Sequence, residues 1–181
     1  MTIALIVVVA IVVIAALAYN ALVKARNKVD EAWSGIDVQL KRRHDLVPNL
    51  VETVKGYAAH ERETLQSVTD ARAAAVEASE PGAVERAEAK LTTALGAINA
   101  LAESYPQLRA AENFQRLQAD LAEIEDEIQA ARRIYNSNVQ HYNTRTQQFP
   151  TLVIAGLLSF APRELFEIEA PAERGVPQVA F

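Results

Sequence analysis

Residues Ile3 to Ala18 read IALIVVVAIVVIAALA, with no charge and no hydrogen-bonding side chain. A helix on the surface of a water-soluble domain needs a polar face, and this stretch has none. At about 1.5 Å per residue, Ile3 to Val23 spans roughly 31 Å, close to the thickness of a bilayer's hydrocarbon core. Tyr19 and Asn20 then fall at interfacial depth, and Lys24, Arg26 and Lys28 follow at once. The pattern predicts a transmembrane anchor over residues 1–23, with Tyr19, Lys24, Arg26 and Lys28 at the membrane interface. Ala16-Leu17-Ala18 also fits the small-x-small pattern of a cleaved signal peptide. No basic region precedes the apolar run, however, and the run is long for a signal sequence, which favours a retained anchor. Basic residues lie only on its C-terminal side, with Lys41, Arg42 and Arg43 reinforcing them. The positive-inside rule then leaves a short N-terminus outside and the rest in the cytoplasm, as a single-pass protein of the cell (inner) membrane.

Beyond the anchor, about 158 residues suffice for one domain with a modest core. No cysteine is present, which excludes disulfides and thiolate metal sites. The net charge of -5 is uneven: residues 1–62 carry eight Lys/Arg against six Asp/Glu, and residues 63–181 carry ten against seventeen. The basic end thus lies beside the membrane, where anionic headgroups attract it. No basic face with interleaved aromatics exists to bind nucleic acid. Only six glycines, abundant alanine and few β-branched residues outside the anchor point to an all-α fold.

Apolar residues recur at steps of three and four. Leu22, Val29, Trp33, Ile36, Leu40, Val47, Leu50, Val54, Tyr57 and Val68 form a first seam. Pro48 interrupts it. The seam stays in phase across the proline, which favours a kink; an unbroken helix to Ala78 would be too long to cover, which favours a break near Val47. The break is the expectation adopted. Ser79-Glu80-Pro81-Gly82 starts a second stripe of Val84, Ala87, Leu91, Leu95, Ile98 and Leu101, closed by Tyr105-Pro106. Phe114, Leu121, Ile128, Tyr135, Tyr142 and Phe149 then fall every seven residues, a coiled-coil-like seam ended by Pro150. The bundle therefore occupies residues 24–150. Residues 151–181 hold an apolar segment, Thr151 to Phe160, and an acidic tail from Glu164 read as loose. Thr151 to Phe160 is too short to span a bilayer; it can pack on the bundle, lie at the membrane interface or cover a second subunit.

Three stretches resemble the LemA family of bacterial membrane proteins: YNALVKARNKVDEAWSGIDVQLKRRHDLVPNLVETVKGYAAHE, AESYPQLRAAENFQRLQADLAEIEDEI and ARRIYNSNVQHYNTRTQQFP. They occur in order from Tyr19 to Pro150. The resemblance implies an N-terminal anchor with its short end outside, followed by an antiparallel bundle of about four helices. It implies no established biochemical activity. Glu77 to Glu88 and the tail after Glu167 look unconstrained by the family pattern.

The chain offers little to an enzyme. His60-Glu61 begins like a zinc-protease helix, but Thr64 stands where the second histidine belongs. No Glu-x-x-His precedes any of the three histidines, and there is no phosphate loop or nucleophile elbow. Neither a cofactor nor a metal is expected. The polar residues in the seams carry more information: Arg26, Arg43 and Glu61 on the first, Asn138 and Arg145 on the last. Such residues either reach over the edge into water, pair inside the bundle (Arg43 with a carboxylate such as Glu125 or Asp126), or face another protein. Arg43, Glu61, Tyr135, Asn138 and Arg145 are thus the candidate core-polar or partner contacts. Lys41-Arg42-Arg43-His44-Asp45 either forms a turn or, in a continuous helix, mostly coats a solvated face. The expected function is a non-enzymatic, membrane-anchored scaffold that self-associates at the cytoplasmic face of a bacterial membrane. The alternative is an adaptor holding another membrane protein, such as a protease or transporter subunit. The expected partners are the lipid bilayer and further copies of the chain.

Overall fold

One helix, α1 (Thr2–Lys55), runs without interruption from the apolar segment to the far end of the molecule, about 81 Å. The computed structural model describes residues 1–166. After α1 come α2 (Arg62–Glu77), α3 (Pro81–Ser104), the short α4 (Pro106–Ala110), α5 (Glu112–Gln147) and α6 (Thr151–Leu157). Among the described residues every regular element is α-helical, as expected, and four of the six helices are long. The chain runs out along α1, back along α2, out again along α3 and home along α5. α5 packs along α1, and α2 packs between α3 and α1.

The break expected near Pro48 does not occur. Proline has no N–H, so the carbonyl of His44, four residues earlier, loses its helical partner. Arg72 of α2 supplies a replacement, its Nε donating to that carbonyl at 2.7 Å. The helix stops instead at Gly56, and Tyr57, counted in the seam, stands 46% exposed past its end. The objection from length fails because the helix ends at Lys55 and does not run on to Ala78. Only the stretch from Ala18 onwards needs partners, and α5, about 54 Å long, covers most of it.

The core comes in two parts. The part nearer the apolar segment joins Ala25, Val29, Ile36 and Leu40 of α1 to Ile124, Ile128, Tyr135, Val139 and Tyr142 of α5, with Val84 and Phe166. The far part joins Val47, Leu50 and Val54 to Leu65 and Val68 of α2 and Leu91, Leu95 and Ile98 of α3. The seven-residue seam of α5 is buried, or at Leu121 half-buried, until its last member: Phe149 is 84% exposed. It follows Gln148, where the chain has already left the helix with ψ 145°.

The tail does not begin where expected. Residues 161–166 lie against α5, and Phe166 is 1% exposed. The rest of the tail, 167–181, lies outside the described residues.

Candidate functional site

Between the two apolar cores sits a polar layer. On α1, Arg43 follows Leu40 by three residues and precedes Val47 by four, so helical spacing turns it into the seam. His44 is its neighbour, and both are buried, at 6% and 8% exposure. Glu88 of α3 reaches them from one turn after Val84, itself only 1% exposed. Its Oε2 lies 3.2 Å from Arg43 Nη1, and its Oε1 lies 2.6 Å from His44 Nε2. For an ionised Glu88 to accept that bond, the imidazole proton must sit on Nε2. Arg43 Nη2 donates to Thr92 Oγ1 at 2.9 Å, and Nη1 lies 3.3 Å from Glu125 Oε2 of α5. That last pair is close enough to attract but not aligned for a hydrogen bond. Arg132, two turns along α5 from Glu125, lies over the Phe166 ring at 4.4 Å. Burial pulls the Arg132 guanidinium below its ordinary value, while Glu125 and Glu88 pull it back up. The layer thus sets the buried Arg43, with the half-buried Arg132 beyond it, against Glu88 and Glu125, and ties α1, α3 and α5 together.

Glu88 escaped the sequence reading because it ends a connector that looked unconstrained. Its signal was there: it falls four residues after Val84 and three before Leu91, a carboxylate on an apolar stripe. The basic cluster likewise divides. Lys41, Arg42 and Asp45 are exposed as a continuous helix predicts, but Arg43 and His44 point inward. A cleft of about 500 Å³ opens beside His44, lined among others by Trp33, Asp37, Lys41 and Arg72.

Nearer the apolar segment, α5 carries the dipeptide Tyr-Asn twice, seven residues apart, at Tyr135-Asn136 and Tyr142-Asn143. Each pair holds the extended segment 161–166 by its main chain. The Tyr142 hydroxyl donates to Ala161 O at 2.9 Å, and the Tyr135 hydroxyl to Glu164 O at 3.0 Å. Asn143 donates to Arg163 O and accepts from Arg163 N, both at 2.9 Å. Asn136 makes the same reciprocal pair with Phe166, both bonds at 2.8 Å. The spacing explains the match: seven helical residues advance about 10.5 Å, and three extended residues about 10 Å. Arg163 also bonds Asp30 of α1 at 3.2 Å, so the segment straps α1 to α5.

Burial pushes the hydroxyls of Tyr135 and Tyr142 above the ordinary tyrosine value, against the pull of Arg163. Raised in the fold, these groups add stability that is complete below about pH 10, their unfolded value, and lost as pH climbs through the folded one. A phenolate cannot donate to a carbonyl. The strap is therefore expected to loosen above about pH 10. Trp33, the only tryptophan, reports this, since its ring packs on Tyr135 and Phe166. Its emission should change with alkaline pH in the native chain and much less in a Tyr135→Phe/Tyr142→Phe chain; equal changes in both would refute the link.

The structure does not gather the sequence candidates into one site. Arg43 lies in the polar layer and Tyr135 in the strap ladder. Asn138 donates to the Lys28 carbonyl at 3.2 Å, a further α1–α5 tie beside Arg43–Glu125 and Arg42–Glu127. Glu61 accepts from the Tyr105 hydroxyl at 3.0 Å, closing the far end of the bundle. Arg145 donates from Nε to His141 on the same helix at 2.8 Å. Of the interface residues, Lys24 and Lys28 are exposed, while Arg26 lies 5.4 Å from the Phe160 ring centre and Tyr19 meets that ring edge-on at 6.0 Å. Among the described residues no group of His, Cys, Asp or Glu converges to hold a metal.

A sequence model of the LemA family matches residues 32–181. The magnetosome protein MamQ 2 of Paramagnetospirillum magneticum is 26% identical over 198 aligned positions, covering 95% of this chain and 72% of that protein. MamQ of Magnetospirillum gryphiswaldense is 27% identical over 85% of this chain and 66% of its own length. Protein LemA of Metamycoplasma hominis is 27% identical, over 82% and 68%. A family match over most of the chain, with the helical architecture just described, leads to one conclusion: the chain belongs to the LemA family.

Proposed function

We propose that this protein is a non-enzymatic, membrane-anchored scaffold that self-associates at the cytoplasmic face of a bacterial membrane. The observation that carries the reading is the unbroken α1, whose apolar third and bundle-forming two thirds are one continuous helical rod. A chain built to present a surface at a fixed height above a bilayer needs such a rod. A tethered enzyme does not. Ties between α1 and its partners, among them the polar layer, the Arg72 and Asn138 bonds and the strap, hold the rod to the bundle. Beyond the anchor the bundle leaves single apolar side chains bare on three helices, Val38 at 56%, Val76 at 55% and Ile134 at 59% exposure, which a second copy could cover. The basic residues following the apolar run support the cytoplasmic side.

The experiment is the particle mass of the full-length protein taken from membranes in mild detergent or native nanodiscs. A homogeneous homo-oligomer is expected; a monomer overturns self-association. In intact cells, a Ser79→Cys chain should resist an impermeant thiol reagent, and labelling would reverse the orientation. The adaptor reading has one observation of its own, the open cleft beside His44. A one-to-one complex with a foreign membrane protein would decide for it.

A further inference from the structure

From Phe149 to Pro162 the chain carries no charge, yet its own bundle leaves most of it uncovered. Phe149 is 84% exposed, Leu157 74%, Leu158 55%, and Leu152 and Val153 50% each. Within α6 only Ala155 is buried. A cluster of this kind on a water-facing surface calls for an occupant.

The position of α6 identifies it. Arg43 against Glu125 and Trp33 against Tyr135 fix the antiparallel register of α1 and α5. Carried on, that register sets Pro150 opposite Ala18, inside the apolar run. α6 packs on both α1 and α5 from there. Of the first eighteen residues, only Ala15 and Ala18 lose exposure, one turn apart on one face of α1. Ala15 lies about 12 Å on the apolar side of Val23. The bare surface of α6 is thus continuous with the bare surface of the anchor. Lys24, Arg26 and Arg145 border it on the side away from the N-terminus, at the depth where headgroups would lie.

We propose that α6 and Phe149 form a second membrane-inserted element, a short wedge beside the anchor that occupies the bilayer's near leaflet. The backbone suits this medium, in which each unpaired polar group is costly. The amides of Val153, Leu158 and Phe160 bond to carbonyls within the segment and that of Leu152 to Gln148 just before it, and the Thr151 hydroxyl shares its one proton between the carbonyls of Arg145 and Gln148. A seven-residue helix cannot span the bilayer, so it lies in the interface with its apolar side chains down. The protein thus grips the membrane with two elements, and the strap that follows α6 ties the wedge to the bundle. The inference rests on reading the N-terminal part of α1 as a bilayer anchor.

The test uses the full chain, free of native cysteine, reconstituted in phosphatidylcholine–phosphatidylglycerol vesicles. Single cysteines replace Val8, Leu157 or Val38, all exposed, and carry an environment-sensitive fluorophore. Nitroxide on the lipid acyl chains and iodide in the water serve as quenchers. The Leu157→Cys label should be quenched by nitroxide about as strongly as the Val8→Cys label, several-fold more than the Val38→Cys label, and spared by iodide. If the Leu157→Cys label answers to iodide while the Val8→Cys label answers to nitroxide, the wedge is wrong and the anchor stands. If it is shielded from both quenchers, protein covers α6 and the wedge is again wrong. If the Val8→Cys label escapes nitroxide, the anchor reading fails and takes the wedge with it.

Discussion

A Glu88→Ala chain should lose about 3–5 kcal/mol of stability, because truncation strands Arg43 in the bundle without its most buried partner. His44 loses its hydrogen-bond acceptor in the same step. Glu125 offers little rescue: its side chain is 38% exposed and its contact with Arg43 is poorly aligned. The cost is that of an unpaired buried charge, which is not the same as the net worth of the pair. Two further variants separate these quantities. Glu88→Gln keeps the shape and an acceptor for His44 but leaves Arg43 uncompensated, and should fall between the native chain and Glu88→Ala. Combining it with Arg43→Met removes the charge as well and should recover most of the loss. Urea midpoints of the full-length chain in detergent measure all three. If the double variant is as weak as Glu88→Ala, the layer stabilises through something other than charge pairing.

The second large effect concerns Arg72. An Arg72→Met chain keeps most of the side chain's apolar bulk but leaves the His44 carbonyl without a donor. The expected loss is about 1–2 kcal/mol, the cost of an unmet, part-buried acceptor at the edge of the cleft. Pro48→Ala supplies a backbone N–H to that same carbonyl. In a Pro48→Ala chain, therefore, Arg72→Met should cost far less, with a coupling of about 1 kcal/mol or more in the double-mutant cycle. Additive effects would mean that Arg72 acts through other contacts, for instance at the cleft it also lines.

These two sites show what could be read from the residues and what could not. Periodicity locates α3, α5 and the apolar stripe of α1, because packing such a stripe against a neighbour is a local rule. It runs α2 into the first seam, however, and passes over the turn that separates them after Lys55. It also placed Arg43 in a seam and named Glu125 among its possible partners. It does not single out Glu88, the closer partner, because one carboxylate in a short stripe, next to a connector without an apolar pattern, is a weak signal. Pro48 was misjudged for a different reason. Its cost is local, but the compensation comes from Arg72, twenty-four residues on and on another helix, and no sequence window joins the two. Of the Tyr-Asn repeat, the heptad spacing marks both tyrosines as seam residues. The purpose of the repeat is not marked, since its partners are main-chain groups of a segment that looked like tail. Phe149 kept the seven-residue spacing after the helix had ended, a case where periodicity outlives the element that produces it.

The unbroken α1 also makes the molecule a lever. From Val23 to Lys55 the rod extends about 48 Å, with no loop or glycine hinge at the level where the apolar run ends. A tilt of about 10° in the apolar part would therefore sweep the far end of the bundle sideways by roughly 8 Å. Each residue inserted between the two parts would swing the bundle about 100° around the rod axis while raising it only about 1.5 Å. The azimuth of everything the bundle presents is thus geared to the orientation of the apolar segment, and insertions of seven residues, close to two full turns, would be the short ones that leave that azimuth nearly unchanged.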